Sequence, residues 1–125
     1  MLKIKNYVKE LVDRYIPNLV TLNSDDVRTI MCIYQYEASS FITNNVELTA
    51  LDKAIERIEA QLPFFHDGEL HEYLLYVADR NALASMCNKY CLMVADTNDK
   101  LHPFLRGIAT LNYEHCTNIM LKLAA

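Results

Sequence analysis

Residues 68–95 read GELHEYLLYVADRNALASMCNKYCLMVA, and the folding of this stretch decides the rest of the chain. After Gly68 it contains neither Gly nor Pro, and its apolar residues point to nearly every side of a helical axis. In the first half Leu70, Tyr73, Leu74 and Val77 share one face. In the second half the apolar set is Leu83, Met86, Cys87, Tyr90, Cys91 and Val94, with its centre rotated by roughly 120° at about 100° per residue. A helix buried nearly all round, with different neighbours at its two ends, has this pattern. The alternative is a break at Asp79-Arg80-Asn81, with Asn81 capping a second helix. Because no strong breaker lies inside the stretch, one central helix over about 68–95 is the favoured reading.

The remaining segments wrap around it. With 125 residues the chain is long enough for one sizeable core and too short for two, so 1–125 is expected to be a single helical domain. Hydrophobic residues at 52% and charged residues at 22% are ordinary for a globular protein. Two Gly and three Pro leave little turn chemistry, so the elements should be long and few. The expected fold is all-α, a compact bundle of five or six helices around the central one.

Lys3 to Ile16 carries Ile4, Tyr7, Val8, Leu11, Val12 and Tyr15 on one helical face, and Pro17 closes that helix. The connector PNLVTLNS, with Leu19, Val20 and Leu22, reads as a structured loop tucked under the bundle. Ser24, Asp25 and Asp26 mark a helix start, with the Ser hydroxyl as cap and the carboxylates at the positive end of the dipole. Val27, Ile30, Met31, Tyr34, Ala38, Phe41 and Ile42 form its stripe, leaving Ile33 and Tyr36 on another side. Thr49-x-x-Asp52 resembles a capping arrangement for the next helix, whose apolar face is Leu48, Leu51, Ile55, Ile58 and Leu62. Pro63 ends it, and Phe64-Phe65-His66-Asp67-Gly68 turns into the central stretch with Asp67 as N-cap. The last helix starts near Thr97 or Asp99, accepts Pro103 in its first turn, and carries Leu105, Ile108, Cys116, Ile119, Met120 and Leu123 on one face.

A net charge of −4 argues against a nucleic-acid partner and against attraction to an anionic membrane. The apolar runs fall far short of the roughly 20 residues needed to span a bilayer. MLKIKNYVKELVDRY interleaves charges and lacks the apolar middle of a signal peptide, so a cytoplasmic protein is expected.

Cys32, Cys87, Cys91 and Cys116 each lie inside a helical pattern, which favours reduced, buried thiols over a disulfide scaffold. Cys87 and Cys91, one turn apart, form a metal site only if Cys32, His115 or Cys116 approaches from another helix. The tight C-x-x-C knuckle is missing, so packing is the preferred reading and no metal is expected. His66, His71, His102 and His115 do not form a set. No Ser-His-Asp motif, phosphate loop or nucleotide fingerprint is present, and neither an enzyme nor a cofactor is expected.

What stands out is surplus apolar and aromatic surface. Ile33, Tyr36, Phe64, Phe65 and Tyr76 are not needed by one-face packing, and large aromatic anchors suit interface pockets. The expected function is a non-enzymatic protein-binding module (a small regulator, inhibitor or adaptor) that also self-associates, its other partner being another protein. A structural subunit of a larger assembly is the alternative, followed by a small helical metal-binding protein or an enzyme.

Overall fold

The computed structural model of the chain describes residues 16–36, 38–62, 70–97 and 103–124, with the side chains at 36, 40, 97 and 103–112 outside that description. The elements in order are β1 (Asn18–Asn23), α1 (Ser24–Tyr36), α2 (Ala38–Phe41), α3 (Asn45–Glu59), β2 (Leu70–Leu75), α4 (Val77–Thr97) and α5 (Pro103–Ala124). The chain is mostly helical, but its described part differs from the expected bundle of five or six helices. It has four helices of 13 to 22 residues, one four-residue turn, and a two-stranded sheet. The helix read over 3–16 and the Asp67 cap lie outside the described residues.

The main correction concerns the opening stretch. Leu70–Leu75 is a strand, and the helix begins only at Val77. Tyr73 and Leu75 are buried while Leu70, Glu72 and Leu74 are exposed, which is period two rather than a helical face. The supposed loop at Asn18–Asn23 is its partner: β1 and β2 pair antiparallel, with Leu19 opposite Leu74, Val20 opposite Tyr73 and Thr21 opposite Glu72. Val20, Leu22, Tyr73 and Leu75 face the core.

The side-chain amide of Gln61 occupies the Leu74 position on the far edge of β2. Its Nε2 donates to the Leu74 carbonyl at 2.9 Å, and its Oε1 accepts the Leu74 N–H at 2.7 Å. Leu74 therefore turns both backbone groups away from β1. By the alternation of an antiparallel ladder, so do Leu19 and Thr21 on the other strand, away from β2.

Both strands run directly into helices, and both junctions use an aspartate at the third helical position. Asn23 caps α1: its Oδ1 accepts the Asp26 N–H at 2.8 Å, and Asp26 Oδ2 accepts the Asn23 N–H at 2.9 Å. This reciprocal box makes Asn23, rather than Ser24, the N-cap. At the second junction Asp79 Oδ2 accepts the Tyr76 N–H at 2.9 Å. Asp79-Arg80-Asn81 is thus the first turn of α4 and not a break. The start of α3 is capped by Asn44, whose Oδ1 accepts from Val46 and Glu47, rather than by Thr49. Thr49 lies inside the helix and donates back to the Asn45 carbonyl.

From Val77 onward the central role of the stretch holds, because α4 packs against α1, α2, α3 and α5. Leu83, Met86, Cys87, Tyr90, Cys91 and Val94 are its buried residues, joined by Leu51, Ala54, Ile55 and Ile58 of α3 and by Cys116, Ile119 and Leu123 of α5. Leu62 lies beyond the end of α3 and is exposed.

Candidate partner-binding site

Of the five residues expected to form a contact surface, Tyr76 is the one the described structure places beside a groove. Phe64 and Phe65 lie outside the described residues, as does the side chain of Tyr36. Ile33 is only 4% exposed and belongs to the core. The correction has a plain cause: α1 packs against α2, α4 and α5, and its buried arc runs Val27, Ile30, Ile33 and leaves Met31 and Tyr34 half-buried.

The groove lies where α3 passes the first turn of α4. It has a volume of about 690 Å³ and is lined by Val46, Ala50, Lys53 and Arg57 from α3 and by Tyr76, Ala78 and Asp79 from the other wall. That falls within the roughly 300–1,000 Å³ of small-ligand and side-chain pockets. Tyr76 forms part of the wall because Asp79 holds its backbone at the helix start. Arg57 ties the two walls together: its guanidinium carbon lies 4.5 Å from the centre of the Tyr76 ring, and its Nε is 2.6 Å from Asp79 Oδ2. The Nε–H is not aligned for a hydrogen bond, so the Arg57–Asp79 contact is an ion pair with poor donor geometry.

These contacts leave two groups at the groove unused. Val46 sits in the first turn of α3 with 78% of its surface exposed, and Lys53 has no ion pair among the described residues. Asp79 is neutralised by Arg57, which leaves Lys53 as the uncompensated charge of the lining. The groove is therefore an apolar trough whose rim carries a cation with no ion pair among the described residues.

No protein-family model matches the chain, and no curated protein or solved structure matches it either.

A second polar constellation joins α5 to α1. Asp26 is buried, and its Oδ1 is 2.9 Å from His115 Nε2 while its Oδ2 accepts from Lys122 at 2.5 Å. His115 Nδ1 lies 3.0 Å from Thr29 Oγ1, completing a hydroxyl, imidazole and carboxylate array. Burial pushes the Asp26 carboxyl up, but the bonds from Lys122, the Asn23 N–H and His115 outweigh it and hold the group below its ordinary range. Two features make this a clasp between helices rather than a nucleophilic triad. Lys122 already neutralises the carboxylate that would support an imidazolium, and Thr29 lies inside α1, where the helical ladder takes up the neighbouring N–H groups that an oxyanion would need. The array was missed in the sequence, although His115 and Lys122, seven apart and hence on one face of a helix, carried a signal.

Among the described residues no three His, Cys, Asp or Glu side chains converge as metal ligands. None of the four cysteines is in a disulfide; Cys87, Cys91 and Cys116 are buried, whereas Cys32 is exposed, contrary to the expectation of four buried ones. Burial, reinforced by Cys116, raises the Cys91 thiol above its ordinary value. That favours the inert thiol over a ligating thiolate. Among the described residues no helix is long and apolar enough to cross a membrane.

Proposed function

We propose that the chain is a non-enzymatic protein-binding module, a small regulator, inhibitor or adaptor of the reducing cytoplasm, that holds a segment of another protein in the α3–α4 groove and also self-associates. The observation that carries this reading is the nearness of exposed Val46 to Lys53, which has no ion pair among the described residues, along a trough whose walls Arg57 holds in place. An apolar trough with Lys53 at its rim suits a short segment with an aliphatic side chain near an Asp or Glu. The aliphatic group covers Val46 and Ala50, and the carboxylate meets Lys53. Exposed apolar side chains elsewhere, such as Leu19 and Leu74, support the self-association half of the reading.

Display of a random peptide library against the folded chain tests the groove. Peptides pairing an aliphatic residue with a nearby acid should be enriched. Val46→Asp and Lys53→Glu, both at exposed positions, should each weaken their binding by about tenfold or more. Enriched peptides that bind the Val46→Asp variant as well as the parent would place the site elsewhere, and the absence of any enrichment would count against the reading.

A further inference from the structure

The two edges of the small sheet differ at the Leu19–Leu74 pair. On β2 the backbone of Leu74 is satisfied by the Gln61 amide. On β1 the N–H and C=O groups of Leu19 and Thr21 point away from β2, and no hydrogen bond from another described residue reaches them. The next outward N–H, that of Asn23, is taken by Asp26, so the open edge is bounded on that side. Pro17, which lacks an N–H, bounds it on the other. Between these limits the strand reads NLVTLN, with no charged residue, no proline and no bulge, so it lacks the devices that usually prevent edge pairing. Leu19 is 58% exposed on the outer face, beside its cross-strand partner Leu74 at 46%.

We propose that β1 pairs antiparallel with β1 of a second copy, giving a continuous four-stranded sheet in the order β2-β1-β1-β2 about a two-fold axis at Val20. The proposal rests on the self-association half of the function given above and names its surface. The arrangement of the backbone groups selects this register. With Val20 opposite Val20 of the second copy, Leu19 of each chain faces Thr21 of the other, and each such pair exchanges both backbone hydrogen bonds. All four outward groups of each strand are then satisfied. On the outer face each Leu19 gains the methyl of the facing Thr21 as a neighbour. A neutral strand brings no like charges together when it meets its own copy. Such an interface is isologous, so it closes at two chains, and Gln61 occupies the Leu74 position on each outer β2 edge.

Sedimentation of the full chain over a concentration series tests the proposal, with amide hydrogen exchange as a second measurement. The parent chain should be dimeric, and the Leu19 and Thr21 amides should become protected as concentration rises. Leu19→Lys, an outer-face change that leaves the core untouched, should weaken the dimer by about tenfold or more. Thr21→Pro, which deletes one outward donor on an edge strand, should do the same while the circular dichroism spectrum is retained. If Thr21→Pro does not fold, Leu19→Lys and the exchange data decide. A chain that stays monomeric at every concentration overturns the proposal, including the case where β1 instead accepts a strand from a different protein. So does a dimer that survives Leu19→Lys with unprotected Leu19 and Thr21 amides. A dimer lost on Val46→Asp but not on Leu19→Lys would move self-association to the groove, whereas failure of peptide binding there leaves the β1 result standing.

Discussion

Arg57 and Asp79 meet at 2.6 Å across the seam between α3 and α4, and the same carboxylate oxygen accepts the Tyr76 N–H. One buried side chain thus starts the central helix and fastens the neighbouring helix to it. Asp79→Ala removes the helix cap and the ion pair together and strands Arg57 at a partly buried seam. We expect a loss of about 2–4 kcal/mol. Asp79→Asn keeps an oxygen for the Tyr76 N–H and should cost roughly half as much. Urea unfolding of the two variants and the parent gives the comparison, and equal losses would show that the cap contributes nothing.

The acid limb of stability should depend on Asp26. Its folded pKa lies below the ordinary value, so its contribution is complete above the unfolded pKa of about 3.9 and disappears as pH falls through the folded value. Asp26→Asn should therefore be less stable than the parent at neutral pH but show a flatter decline below about pH 4. Denaturant midpoints measured from pH 2 to 7 provide the check. Parallel acid limbs would remove Asp26 from the account.

Tyr34 donates to Asp52 at 2.5 Å, and this bond, followed by burial and by the charge of Asp52, pushes its phenol up to about 12. Because the folded value exceeds the unfolded one of about 10, the contribution is intact below pH 10 and is lost as pH rises towards 12. Burial also raises Tyr73. Ultraviolet titration should show tyrosines ionising later than the rest, and Asp52→Asn should bring one of them back towards 10. An unchanged titration in that variant would contradict the assignment.

Gln61→Ala should release both backbone groups of Leu74. Since the site is exposed to water, the expected loss is only about 1 kcal/mol. Hydrogen exchange is the sharper measurement. The Leu74 amide should exchange faster, while that of Tyr73, which faces β1, should not change. Faster exchange at both would mean that Gln61 holds the whole strand rather than its edge.

Legibility in the sequence followed the range of the interactions. In α3, Leu51, Ile55 and Ile58 gave the correct face because a helix reports its burial through neighbours three and four residues away. Leu70, Tyr73, Leu74 and Val77 fit that spacing equally well, yet the conformation of 70–75 is set by pairing with 18–23, some fifty residues away. Six residues of strand are too few for periodicity to overrule the helical reading. The 120° turn between the two apolar faces of 68–95 was a real signal, but it marked a change from strand to helix at Tyr76. The groove was only partly legible. Tyr76 stood out as a spare aromatic, whereas its arginine neighbour and the place of Lys53 at the rim depended on how two helices cross.

Asp26 and Lys122 are 96 residues apart in sequence. On a ribosome that separation becomes a delay. Asp26 emerges before His115 and Lys122, so the Asn23–Asp26 capping box can form locally while the contacts from α5 to the carboxylate must come later. The first strand-to-helix junction is thus a local structure that α5 locks only once the chain has been made through Lys122.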